Sequence, residues 1–191
     1  MAEITNNLEP VEDINVLKEV FHIVLYIWVL IICIFLINTF VGMRTVVQGP
    51  SMSDTLINGE SLWVDKLSYR LHSPERYDIV VFPVYHEDYV YYVKRVIGLP
   101  GETVSLDGDG HILINGEAIE DPYAKSAIDY QHIGRLEKEI TLADDEYFVL
   151  GDNRNNSTDS RDDSVGNIIE YEFTGKVALR LYPFSKFGKV E

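Results

Sequence analysis

Cysteine is nearly missing from this chain of 191 residues: Cys33 is the only one. No intramolecular disulfide can form, and cysteine zinc sites are excluded. Basic residues are also scarce, with 16 Lys and Arg against 31 Asp and Glu and a formal net charge of −15. That balance argues against nucleic acid as a partner. The five histidines, His22, His72, His86, His111 and His132, show no H-E-x-x-H spacing, and none is read as lying in a carboxylate-rich turn of metal-site type. No metal and no cofactor is expected.

Charge is wholly absent from one stretch, Phe21 to Val41 (FHIVLYIWVLIICIFLINTFV). As a helix these residues rise about 31 Å, enough to cross a bilayer once. A cleaved secretory signal would have a basic n-region, a shorter apolar core and a small-x-small cleavage site. Here Met1 to Val20 carries five acids against Lys18, and no A-x-A pattern follows the run. The stretch therefore reads as an uncleaved anchor, giving a division into residues 1–20, a transmembrane span at 21–41 and a domain at 42–191. Lys18 before the span and Arg44 after it are too few to orient it by charge.

Long amphipathic helices are missing from the remainder. Short β-type runs take their place: Ser61 to Val64, Asp78 to Val84, Tyr89 to Ile97, Thr103 to Leu106, His111 to Ile114, Tyr147 to Leu150 and Lys176 to Tyr182. Turn chemistry such as LPGE, DGDG and GDNRNNS separates them, so the domain is expected to be mostly β. Asp107 to Gly110 lacks the glycine and glutamate positions of a calcium loop and reads as a hairpin turn. Glu120 to Thr141 has no strong period and reads as a surface excursion that pairs as an extra hairpin.

Nothing singles out one histidine as a catalytic base, so a serine hydrolase built on this chain needs another. Lysine is the alternative, and Lys94 lies in the apolar run VYYVKRVIG. Alternation puts Lys94 on one strand face with Tyr92 and Val96, and Arg95 on the other. Burial of that face would disfavour the ammonium and bring the amine toward the neutral form a base requires. Taken alone, the same residue also fits an exposed lysine guarding a sheet edge.

GPSMSDTL, NGESLWVDKLSYRL, PERYDIVVF with YYVKRVIGLPGE, and GDNRNNSTDSRDDSVG occur in this order, and together they resemble the sequence boxes of bacterial type I signal peptidases. The likeness extends to GKVALRLYPFSKFGKV near the C-terminus. It implies a membrane-bound serine endopeptidase that removes signal peptides from exported preproteins after Ala-x-Ala-type sites. It also implies a mostly β fold of coiled antiparallel sheets behind one transmembrane helix, with the N-terminus cytoplasmic and the catalytic domain outside the cell membrane. The partners implied are preprotein signal peptides and the lipid bilayer.

By motif position Ser51 resembles the nucleophile and Lys94 the general base. Met52 resembles the lining of a shallow pocket for small side chains, and Ser157 the serine that hydrogen-bonds the lysine. Asp152, Arg154, Asp159 and Arg161 resemble the polar residues that brace the site. The substrate is expected to add as a strand to Asp78, Ile79, Val80, Val81 and Phe82. Phe184, Phe187 and Trp63 are candidates for contact with the membrane interface.

Three positions depart from the family pattern or divide it. Gly49 stands where some relatives carry a serine hydroxyl, which leaves backbone donors for an oxyanion and resembles the Gram-positive form. Asp54 replaces the usual Pro, and Tyr77 the usual Gly. Asp54 is expected to face solvent or cap local N–H groups. Two other readings compete: a non-catalytic signal-peptidase-like accessory protein of pilus assembly, and a Ser-Lys self-cleaving repressor with a related β core. The first typically lacks dyad residues, and the second would need a DNA-binding domain.

Overall fold

A computed structural model describes residues 16–84 and 90–190. The N-terminal residues 1–15, His86 and the expected strand start at Tyr89 lie outside the described residues. Helix α1, Val16–Leu36, continues through a π-type turn at Ile37–Val41. It starts five residues before the expected span and ends where expected. Within Val16–Val41 the most apolar 18 residues have a mean hydropathy of 3.0, and none of them is buried against the rest of the chain. An apolar helix with no protein around it is what a bilayer crossing requires.

The helix runs without a linker into β1, Gly42–Val46, followed by β2, Ser61–Asp65, the one-turn helix α2, Ser68–Leu71, then β3, Ile79–Pro83, and β4, Tyr91–Gly98. Next come β5, Thr103–Leu106, β6, Ile112–Ile114, β7, Glu117–Ala118, and β8, Ile140–Thr141. The chain closes with β9, Glu146–Leu150, β10, Ile168–Ile169, β11, Gly175–Tyr182, and β12, Gly188–Lys189. All seven expected strands form. Strand β1 was missed, because its GMRTV sequence continues straight from the apolar run and carries no turn signal of its own.

The large sheet has the order β1-β2-β11-β3-β4-β9-β10, with β12 also on β11; the small sheet is β7-β6-β5-β8. Every described pairing is antiparallel. Strand β4 contributes to three apolar clusters. Val93 packs with Met52, Leu56 and Val64, Val96 with Val80, Phe82 and Val149, and Ile97 with Val104, Leu136 and Phe148. This position explains why a strand bearing Lys94 and Arg95 is so thoroughly buried.

The excursion does not form the extra hairpin. It holds two 3-10 turns, Tyr130–His132 and Gly134–Glu137, and then pairs Ile140–Thr141 with β5. Ile128 and Leu136 are buried beneath it. Ile128 N donates to the Gly110 carbonyl and Leu136 packs with Ile97 and Val104; isolated anchors on such distant partners leave no periodic trace, so the segment looked like surface.

Candidate active site

Beyond β1 the chain turns tightly. Gly49 adopts φ +86 and donates its N–H to Asn58 Oδ1 at 3.0 Å. Ser53 N donates to the Pro50 carbonyl at 3.0 Å and Leu56 N to that of Met52 at 2.8 Å. Met52 and Leu56 are buried in the first apolar cluster. With both side chains driven inward, Ser51 is held at the surface of a cleft.

Lys94 meets it there. The Nζ atom donates to Ser51 Oγ at 2.8 Å, and the side chain is 3% exposed. Burial pulls the Lys94 pKa down to about 8, opposed by the charge of Asp159, aided by that of Arg161 and opposed again by Asp152. The Tyr92 ring lies 5.0 Å from Nζ on the same strand face, as the alternation predicts.

The loop after β9 braces this pair. Asp152 accepts from Arg95 Nε at 2.9 Å and Nη2 at 2.8 Å, and from Thr55 Oγ1 at 2.6 Å. Its neighbour Asn153 donates its N–H to the Ser51 carbonyl at 3.0 Å, and its Nδ2 to the Pro50 carbonyl at 3.2 Å and Ser53 Oγ at 3.0 Å. Asp159 accepts from Arg161 at both oxygens, each at 2.8 Å, and from Gly151 N at 3.0 Å. Gly151 is sterically required, since a Cβ there would collide with Ser157 Oγ and the Ser51 carbonyl. Arg154 donates from Nε to the Gly151 carbonyl at 3.0 Å and forms an ion pair with Asp121.

Several expected placements need correction. Ser157 lines the cleft, but its buried Oγ has no hydrogen-bond partner among the described residues, so the expected bond to Lys94 is not made. Strand β3 cannot accept an added strand at its centre, because β11 pairs Val80 and Val81 on one side and β4 pairs Ile79 to Pro83 on the other. Ile79, Val80, Val81 and Phe82 are buried, and Asp78 is held by Lys176, Tyr69 and Glu75 N. His111 does share a turn with carboxylates: ligand atoms of Asp107, Asp109 and His111 lie within 4.8 Å. Asp107 already accepts from Asp109 N at 2.9 Å, His111 N at 2.8 Å and His111 Nδ1 at 3.1 Å, which is the hairpin chemistry expected.

The open cleft, about 770 Å³, lies instead between the β1 edge with its following turn, residues 44–52, and the start of β4, residues 90–94. Two unfilled strand edges face it. β1 pairs only with β2 among the described residues, and β9 joins β4 only from Arg95 onward. Val47 exchanges bonds with Glu60 and Gly59, so Val46 and Gln48 turn their main-chain groups away from β2. Likewise Val90 and Val96 bond toward the β3 side, leaving those of Tyr91 and Val93 to face the other way.

Asp54 is exposed, as expected, with Lys125 Nζ 3.7 Å away. Its φ is +87, and that of Tyr77 is +73. Glycine, the usual residue at the second position, takes such a backbone freely. Proline, the usual residue at the first, cannot, because its ring locks φ near −65°. Arg95, Thr55, Asn153, Asp121 and Tyr123 are site neighbours that sequence reasoning missed. Strand alternation put Arg95 on the face opposite Lys94, and a buried arginine demands a carboxylate; that demand was the available signal.

A serine hydroxyl thus lies at hydrogen-bond distance from a buried lysine of depressed pKa, in an open cleft of a β domain that follows a bilayer-length helix, which is the arrangement Ser-Lys hydrolysis requires. Residues 19–182 match the family model described as "Signal peptidase, peptidase S26". "Signal peptidase I" of Leptolyngbya laminosa is 38% identical over 164 residues, spanning 81% of this chain and 75% of that one. "Signal peptidase I S" of Bacillus subtilis (strain 168) is 33% identical, spanning 93% and 97%, and "Signal peptidase IB" of Staphylococcus aureus (strain COL) is 32% identical, spanning 89% and 93%. The chain belongs to the signal peptidase family, peptidase S26, and is a peptidase.

Proposed function

We propose that this chain is a signal peptidase that cuts exported preproteins with Ser51 as nucleophile and Lys94 as general base. The 2.8 Å approach of Lys94 Nζ to Ser51 Oγ, inside a site that disfavours the ammonium, carries the reading. Neutral Lys94 takes the Ser51 proton as Oγ adds to the scissile carbonyl. The oxyanion is met by the Ser51 N–H, which has no acceptor among the described residues. The lysine proton then passes to the leaving amine, which becomes the N-terminus of the mature protein. Water, deprotonated by Lys94, hydrolyses the acyl-serine and frees the signal peptide with a new carboxylate.

The intact pair favours catalysis over the accessory reading, whose relatives lose these residues. An extended signal-peptide end adds between β1 and the start of β4, bonding to main-chain groups of Val46, Gln48, Tyr91 and Val93. Alternate side chains then turn toward a floor that includes Met52, and small ones such as the alanines of Ala-x-Ala are accommodated.

The anchor keeps the cleft where signal peptides reside, which raises their effective concentration. The N-terminus is cytoplasmic and the domain lies on the outer face, the side on which a translocated cleavage site emerges. Phe184 and Phe187 are 82% and 61% exposed and suit the bilayer interface. Trp63 packs its ring over Gly42 and serves the fold instead.

The test is cleavage of an Ala-x-Ala preprotein by the full chain in lipid vesicles, with Ser51→Ala and Lys94→Ala beside it. Each variant is expected to lose at least about 10³-fold in rate. Equal activity in all three would remove the dyad.

A further inference from the structure

Lys94 and Ser51 come from segments that share no strand pairing: the lysine from β4, the serine from the turn after β1. Two adjacent residues of the loop after β9 join them. Asp152 grips Arg95, the neighbour of Lys94, while also accepting from Thr55 in the serine turn. Asn153 holds the carbonyls of Ser51 and Pro50. The dyad distance is therefore set by the Arg95–Asp152 pair, whose side chains are 1% and 0% exposed.

Two tyrosines close that pair from outside. The Arg95 guanidinium carbon lies 3.6 Å from the centre of the Tyr123 ring, and Nη1 donates to the Tyr77 carbonyl at 2.8 Å. The Tyr77 and Tyr123 rings stand 5.5 Å apart at 51°. The Tyr77 hydroxyl donates to the Glu120 carbonyl, and Lys125 N donates to the Asp152 carbonyl at 3.0 Å, so the segment carrying Tyr123 is fastened at both ends. A tyrosine at φ +73 accepts backbone strain that glycine would avoid. The ring must therefore do something that glycine cannot.

We propose that Tyr77 and Tyr123 are positioning residues, forming an aromatic cover that keeps water from the Arg95–Asp152 pair and thereby holds Lys94 against Ser51. The inference rests on the Ser-Lys reading above. Lys94 is faced by Ser51 from the serine turn, by Asp152, Asp159 and Arg161 from the loop after β9, and by Tyr92 on its own strand. Arg95 is faced by Asp152, Tyr123 and the Tyr77 carbonyl. If the cover is lost, water reaches the pair, Asp152 is less fully neutralised by Arg95, and the burial of Lys94 weakens. Each change favours the ammonium, so the rate should need a higher pH.

Tyr77→Gly is the discriminating variant, because its backbone geometry suits glycine and the fold is retained. In full-length protein in vesicles, kcat should fall by about 10-fold with KM within about 2-fold, and the ascending limb of the pH profile should move up by about half a unit. Tyr77→Phe should restore the rate to within about 2-fold, and Tyr123→Leu should behave like Tyr77→Gly. An unchanged rate and limb in Tyr77→Gly would overturn the cover, as would a loss in Tyr77→Phe equal to that in Tyr77→Gly. Lys94→Ala runs in the same assay. If it still cleaves, the dyad reading itself has failed; if it is inactive while Tyr77→Gly is normal, only the cover has.

Discussion

Lys94 and Arg95 are consecutive residues of one strand, 3% and 1% exposed, yet the two faces of β4 treat their cations in opposite ways. On the first face, the lysine finds a hydroxyl and an aromatic ring, and among the described residues no carboxylate comes within ion-pair distance. On the second, the arginine finds both oxygens of Asp152 and the Tyr123 ring. An amine can escape the cost of burial by releasing its proton, whereas a guanidinium cannot and must be given a partner. The same burial thus suits one residue to the proposed role of base and makes the other a structural tie.

The comparison breaks most visibly in stability. Arg95→Met leaves Asp152 charged in the interior without its counter-charge, with the Thr55 hydroxyl as its remaining side-chain donor, and should cost about 3–5 kcal/mol in denaturant unfolding of the full chain in micelles. Lys94→Met should do the reverse at pH 7, stabilising by up to about 3 kcal/mol while abolishing cleavage. The sign follows from linkage. The folded pKa, about 8, lies below the ordinary 10.5, so the folded state is penalised fully below pH 8 and not at all above about 10.5. The advantage of Lys94→Met should therefore shrink as pH rises through that window. If Lys94→Met were as damaging as Arg95→Met, the two faces would not differ as claimed.

These faces were legible in the sequence only in part. Alternation alone separates Lys94 from Arg95, but the strand by itself also fits an exposed edge lysine, so Lys94 stood out only when the ordered motifs were read together. The partner of Arg95 could not be read, because Asp152 is fifty-seven residues away and the loop that carries it reads locally as a polar turn. The substrate strand failed for a similar reason. Asp78 to Phe82 looks like a good edge, but β11 returns almost a hundred residues later to fill it. Turn positions and the apolar period are local signals; which strand lies beside which is not. Tyr77 and Asp54 were visible as departures, whereas their positive φ values depend on the folded chain.

A smaller effect sharpens the first face. Asp159 is the foremost charge opposing the depressed pKa of Lys94, and its partner Arg161 acts in the opposite sense. Asp159→Asn removes the former and leaves the latter uncompensated, so the ascending limb of the kcat/KM profile should move to lower pH. Movement to higher pH would mean that Asp159 acts on Lys94 mainly through the Gly151 N–H it holds, by geometry and not by charge.

The smallest effect is expected at Asp54, the other non-glycine residue of the site region with positive φ. Its carboxylate is exposed, touches Lys125 at 3.7 Å and is not among the charges acting on Lys94. An exposed pair of this kind contributes about 0–1 kcal/mol. Asp54→Gly relieves the backbone but frees the unfolded chain, and these opposing terms leave a stability change of less than about 1 kcal/mol. Rate and pH limb should stay where they are. Asp54→Pro, by contrast, demands a φ the loop does not have and should lower activity through the backbone. A limb shifted to lower pH in Asp54→Gly would instead show that this carboxylate does burden the lysine. The first face of β4 would then be less free of counter-charge than its hydrogen bonds suggest.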